Sequence, residues 1–115
     1  LATMFSRQWA FDGSNGNTDK GLFNYWGLGN QHFPDQPGMQ LVEGGGFAAV
    51  GHLGEAYGLM SVFAADLVNK NGIVVLVGGV SSDPEVYKGK YSAMPRFEEQ
   101  ILTALHRSAI GAKKA

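Results

Sequence analysis

Leu59-Met60-Ser61-Val62-Phe63-Ala64-Ala65-Asp66-Leu67 and Gly72-Ile73-Val74-Val75-Leu76-Val77 decide the fold. Both are short, apolar and bounded by turn formers, which is the signature of strands and not of helices. The second is β-branched and uninterrupted. Between them stands Asn69-Lys70-Asn71-Gly72. Asn-Gly is the favoured dipeptide of a tight hairpin, so the two strands are predicted to run antiparallel. The apolar stretch 47–52 lies just upstream and supplies a third strand. The three predict an antiparallel meander. The continuous apolar run 73–77 predicts a central strand covered on both faces.

Further along the chain, residues 81–92 are polar and read as a loop. Pro95 suits the first turn of a helix, where its missing N–H costs nothing. Phe97, Ile101, Leu105 and Ala109 then recur every four residues, with Ala104 beside them. That spacing predicts an amphipathic helix over 94–110 with one buried stripe. Gly111 fits its C-terminal cap.

Upstream of the meander, Gly44-Gly45-Gly46 is a break and residues 40–43 read as a short strand. Residues 34–38 form a loop. Residues 23–33 are aromatic and read as one strand, with glycines where another group approaches closely. Residues 12–21 are almost all turn formers and predict a surface loop. Residues 1–10 read as a helix end or a short packed segment. The expected fold class is α+β: an antiparallel β-meander with a C-terminal amphipathic helix packed on it. The expected organisation is a loop-rich lead-in over 1–21, strands over 22–80 and a closing helix over 94–110.

Composition sets bounds on function. The 115 residues are 44% hydrophobic and 17% charged, with a net charge of −1. This is the balance of an ordered chain, and it gives no electrostatic footprint for nucleic acid. The basic pair Lys113-Lys114 is too small to alter that. There is no cysteine, which removes disulfides, thiolate catalysis and Cys-based zinc sites. No apolar run approaches the roughly 18–20 residues of a membrane span. The chain opens on Leu1 with no Met and no signal peptide, so the natural N-terminus is expected to lie elsewhere.

Several motifs fail on inspection. The glycines of Gly46-Phe47-Ala48-Ala49-Val50-Gly51 have phosphate-loop spacing. His52-Leu53 then stands where that loop needs Lys followed by Ser or Thr. His32, His52 and His106 lie too far apart for a metal motif. Asp66, Asp83, Glu43, Glu55, Glu85, Glu98 and Glu99 offer carboxylates, but no spacing pairs two of them as acid and base. No cofactor or metal is expected.

One constellation remains: Gly51-His52-Leu53-Gly54-Glu55-Ala56-Tyr57-Gly58, then two strands and a final helix. It resembles the third active-site motif of the serine β-lactamase-like and penicillin-binding-protein superfamily, in its class C β-lactamase, D-aminopeptidase and esterase branch. That motif is Lys-Thr-Gly, or His-x-Gly in the esterase and aminopeptidase members. His52-Leu53-Gly54 is similar to it, and Tyr57-Gly58 to the turn that follows. Tyr25-Trp26-Gly27-Leu28-Gly29 is similar to the family's Tyr-Gly-Leu-Gly strand with one residue inserted. The resemblance covers about residues 22–110.

The resemblance implies a C-terminal segment of a serine hydrolase that acts on esters or amides through an acyl-enzyme. Its substrates would extend to D-amino-acid peptides and β-lactam-like compounds. The backbone N–H of Glu55 would be the second oxyanion-hole donor. His52, Leu53, Gly54 and Tyr57 would bind substrate, with Gly54 there to let the substrate approach. Leu53 stands where the family has a hydroxyl, which points away from β-lactamase and towards esterase, amidase or aminopeptidase. No serine of the chain has Lys three positions on. The Ser-x-x-Lys nucleophile is therefore expected on another segment or chain, and this chain alone is expected to be inactive. The implied setting is periplasmic or secreted, with the cytoplasm left open. Two alternatives stand beside this reading: a non-catalytic relative that binds a ligand or partner, and an unrelated small α+β binding domain.

Overall fold

The computed structural model describes residues 1–80 and 87–111. Six strands form one antiparallel sheet in strict chain order: β1 (Trp9–Ala10), β2 (Tyr25–Trp26), β3 (Gln31–Phe33), β4 (Ala49–Ala56), β5 (Leu59–Asp66) and β6 (Asn71–Val77). A one-turn helix α1 (Ala2–Phe5) precedes them. Helix α2 (Arg96–Leu105) follows and continues into a wider π-helical turn, His106–Ile110. The fold is α+β, an antiparallel sheet with a C-terminal helix. Each strand pairs with its neighbour in sequence, through tight turns between β2 and β3, β4 and β5, and β5 and β6 and through longer loops over 11–24 and 34–48, and the order is a meander. The polar loop expected over 81–92 falls partly on residues 81–86, and Lys113-Lys114 on residues 112–115, outside those described.

Both long hairpins are set by local chemistry. Ala56 pairs with Leu59, so the β4–β5 turn contains only Tyr57 and Gly58. Both have left-handed backbones, with φ of 53° and 85°. That is the primed two-residue turn whose twist matches the strands. The β5–β6 connection differs from the Asn-Gly hairpin that the sequence predicts. Asn71 and Gly72 already lie in the ladder, opposite Asp66 and Ala65. The turn is residues 67–70. Asp66 Oδ1 accepts the N–H groups of Val68 and Asn69 at 3.0 Å each, and Oδ2 accepts the Asn69 amide at 2.7 Å. Lys70 takes the left-handed position. The buried Asp66 thus fixes a four-residue turn and places Asn71-Gly72 in the strand.

The core lies on one face of the sheet. Met60, Val62 and Ala64 of β5 and Ile73 and Val75 of β6 are buried there, with Leu102 and Ile110 closing over them. Burying a side chain such as Leu102 contributes about 2–3 kcal/mol. The opposite face is open: Phe63 is 54% exposed, Val74 61% and Leu76 70%. β6 is therefore an edge strand with one covered face, and not the central strand that its apolar run predicts. Its sequence is apolar on both faces, but helix α2 covers one of them.

Residues 40–43 form no strand. Leu41 and Val42 are buried as an irregular insert. The Glu43 N–H donates to Thr103 Oγ1 at 2.9 Å and the Gln40 N–H to the Tyr91 carbonyl at 3.3 Å. These side-chain and loop partners replace a ladder. Residues 23–33 form two strands, β2 and β3, with a turn between them. The Gly27 N–H donates to the Asn30 carbonyl at 2.8 Å. A Cβ on Gly27 would lie 2.8 Å from the Met4 carbonyl and 3.0 Å from that of Ser6. This is the close approach expected of these glycines, made by the end of α1.

Helix α2 is turned relative to the predicted stripe. Glu98, Glu99, Leu102, Thr103 and Ile110 are buried, while Leu105 and Ala109 face outward. The rotation follows from Glu99, whose carboxylate is wholly enclosed. It accepts the N–H groups of Lys90 at 2.8 Å and Tyr91 at 3.2 Å, and the Ser92 hydroxyl at 2.6 Å. Gly111 keeps a right-handed φ of −61°, so it does not supply the left-handed cap.

Candidate functional site

The site is built on β4 and its hairpin. Because the turn has two residues, Ala56 and Leu59 must exchange both backbone hydrogen bonds. Alternation then gives the same bonding to Gly54 with Ser61 and His52 with Phe63. Leu53 and Glu55, in between, direct their N–H and C=O groups away from β5. On that side β3 covers only the first part of β4: its last pair is Gln31 with Gly51. Among the described residues, the outer half of β4, from His52 onward, is therefore a free edge. Among the described residues no backbone group accepts the Leu53 or Glu55 N–H.

The side chains divide between the two faces. His52 is exposed on the open face, its ring edge-on to Trp26 with centroids 5.4 Å apart. Its Nδ1 lies against the Leu53 carbonyl. Leu53 points the other way and packs against the core. A strand sends neighbouring side chains to opposite faces, so His52 and Leu53 do not converge. The cleft beside Leu53 is only about 30 Å³, room for a water. Gly54 has a structural reason of its own: a Cβ there would lie 2.4 Å from Ser61 Oγ. Tyr57 stands fully exposed at the hairpin tip. Only the backbone edge at Leu53 and Glu55 unites the residues selected from sequence.

A larger cavity, about 680 Å³, lies at the hairpin end of the sheet. Glu55 and Met60 line it from β4 and β5, Tyr25 and Met39 from the β2 side, and Lys88 and Ser92 from the segment before α2. This volume is in the range of small-molecule sites. Pro95 also lines it. One turn further on, Glu98 is 3% exposed. Burial pushes the Glu98 carboxyl up to about 7, and the Glu55 charge adds to the rise. No hydrogen-bond donor reaches this carboxyl among the described residues.

Sequence reading missed Glu98 and the cavity. The signal available was a Glu-Glu pair in the first helical turn, which ordinarily marks a solvated face favoured by the helix dipole. Elsewhere, burial and the nearby Arg7 hold the His32 ring below the usual histidine range. Among the described residues no three His, Cys, Asp or Glu side chains group as a metal site. No helix among them is long and apolar enough to cross a membrane. Compared with protein-family models, curated proteins and solved structures, the chain matches none.

Proposed function

We propose that the chain is the C-terminal wall of a serine hydrolase of the β-lactamase-like superfamily, acting on esters or amides through an acyl-enzyme. The observation that carries this reading is the free outer half of β4, where the Leu53 and Glu55 N–H groups point out of the sheet beside a cavity. An acyl-transfer site needs backbone donors held rigidly at the place where a carbonyl oxygen becomes negative. A strand edge fixed by a two-residue hairpin holds such donors. The serine and its base would come from a segment or chain carrying Ser-x-x-Lys, laid along this edge. The open apolar face around Phe63, Val74 and Leu76 suits a chain that is part of a larger assembly. A periplasmic or secreted setting goes with this reading.

The test separates backbone from side chain in the assembled protein. Glu55→Ala keeps the N–H and leaves ester turnover within a fewfold of wild type. Glu55→Pro deletes the N–H. Proline is tolerated where the N–H faces away from the ladder, and turnover falls about 10²–10³-fold. Turnover of p-nitrophenyl butyrate by the 115-residue chain alone would refute the proposal. So would full activity of the Glu55→Pro protein.

A further inference from the structure

We propose that the outer edge of β6 is a self-pairing surface: a second copy of this chain adds its own β6 antiparallel to it and joins the two sheets into one. The inference does not rest on the hydrolase reading, because that reading uses the free edge of β4, whereas β6 bounds the other end of the sheet.

The hairpin register shows which backbone groups of β6 are free. Ala56 and Leu59 exchange both hydrogen bonds across the two-residue turn, so Leu59, Ser61 and Phe63 bond towards β4. Met60, Val62 and Ala64 then bond towards β6, where their partners are Val77, Val75 and Ile73. The Ala64 carbonyl accordingly lies 2.9 Å from where a Cβ on Gly72 would stand. Gly72, Val74 and Leu76 send their N–H and C=O groups the other way, out of the sheet. Among the described residues no backbone group bonds to them there. All three residues are exposed, Val74 at 61% and Leu76 at 70%.

Sheet edges are ordinarily protected by a charge, a proline, a bulge or great shortness. At the opposite end of the sheet β1 has only two residues. β6 has seven, Asn71-Gly72-Ile73-Val74-Val75-Leu76-Val77, with no charge and no proline. Its pairing with β5 runs residue for residue, with no bulge. A long, flat, apolar edge of this kind is a template for another strand.

The strand's own pattern selects a second copy as that partner. A two-fold axis at Val74 sets Val74 opposite itself, and Gly72 of each copy opposite Leu76 of the other. These are the outward-bonding residues on both copies, so every pair exchanges both hydrogen bonds. A shift of one residue turns the free groups of one copy away from the other. A shift of two leaves Gly72 or Leu76 without a strand partner. The side chains fit in the same register. On the open face Phe63 lies beside Val74, and the central row reads Phe63, Val74, Val74, Phe63 across the joint. In the flanking rows Leu76 of one copy lies over Gly72 of the other and reaches the Ala65 beside it, a large side chain over a bare backbone. On the core face Ile73 stands opposite Val75. Lys70 comes level with the uncharged Gly78, so no like charges meet. The contact is small beside the roughly 800 Å² per partner of a stable complex, which sets the expected affinity low.

Sedimentation equilibrium of the 115-residue chain tests the proposal. Expected is a monomer–dimer equilibrium with a Kd on the order of 10 μM. Hydrogen exchange well below and well above that Kd locates the contact. The Gly72, Val74 and Leu76 amides slow about tenfold as concentration rises, and the Leu53 and Glu55 amides on the β4 edge do not. Val74→Lys sets like charges directly opposite one another at the axis and weakens the dimer at least tenfold. A chain still monomeric at millimolar concentration, a dimer that protects no β6 amide, protection at the β4 edge instead, or growth beyond the dimer would each overturn the proposal. If Val74→Lys does not fold, the exchange pattern of the wild-type chain decides alone.

Discussion

Gly89 and Glu99 are fitted to one another: a Cβ added to Gly89 would lie 2.2 Å from Glu99 Oε2 and 2.6 Å from the Met94 carbonyl. The glycine lets the chain wrap the glutamate closely enough for the N–H groups of Lys90 and Tyr91 to reach its carboxylate. Gly89 also donates its own N–H to the Met94 carbonyl at 2.9 Å. This knot ties the segment before α2 to the helix and so sets which face the helix buries.

Gly89→Ala is expected to destabilise the chain by about 2–3 kcal/mol, the range for forcing atoms into a packed site. Glu99→Ala leaves two N–H groups and a hydroxyl without their acceptor, at a cost of about 3 kcal/mol. Urea denaturation of both single variants and the double variant checks this. Because the two residues touch, the double variant loses less than the sum of the singles. Strict additivity would show that the knot is not a unit.

Glu98 makes stability depend on pH in the direction opposite to a salt-bridged carboxylate. Its folded pKa of about 7 lies above the ordinary value of 4.5. Between these values the folded chain holds a proton that the unfolded chain has lost. Stability is therefore fully present below about 4.5 and is lost as pH rises through about 7. Glu98→Gln imitates the protonated acid and removes this loss. It is expected to be close to wild type at pH 4.5 and more stable by on the order of 2 kcal/mol at pH 8. Thermal melts across pH 4.5–8 measure it. A wild-type profile as flat as that of the variant would count against a raised Glu98.

Gly54 carries two explanations, substrate access and the packing of Ser61, and a cycle of variants separates them. Gly54→Ala places its Cβ 2.4 Å from Ser61 Oγ but 3.8 Å from Ser61 Cβ. If packing is the constraint, Gly54→Ala costs about 1–2 kcal/mol and Ser61→Ala restores most of it. Equilibrium unfolding of the four proteins gives the coupling. Absence of rescue would return the constraint to the free edge of β4.

Much of the fold was legible in the sequence. Apolar runs bounded by turn formers placed β5 and β6 within a residue or two, because strand formation depends on local pattern and turn chemistry, whereas the strand expected over 47–52 runs on to Ala56 as β4, through Gly54 and Glu55 that no apolar run marks. The helix start at Pro95 was legible for the same reason. The two-strand split at 27–30 was not, because it depends on Met4 and Ser6 carbonyls reaching Gly27 from far upstream in sequence. The Asn71-Gly72 turn misled because the buried Asp66 outcompeted it.

For the candidate site, sequence by itself determined the identity and order of His52, Leu53, Gly54 and Glu55, and the absence of any Ser-x-x-Lys in this chain. Tertiary structure alone decided what they face. The β3–β4 ladder ends at the Gln31–Gly51 pair, and among the described residues this leaves the N–H groups of Leu53 and Glu55 on a free edge. The Glu99 knot rotates α2, and this buries Glu98 within reach of the Glu55 charge. A residue type records which chemistry is available. Whether a donor is paired, or a carboxylate desolvated, is fixed by neighbours distant in the chain.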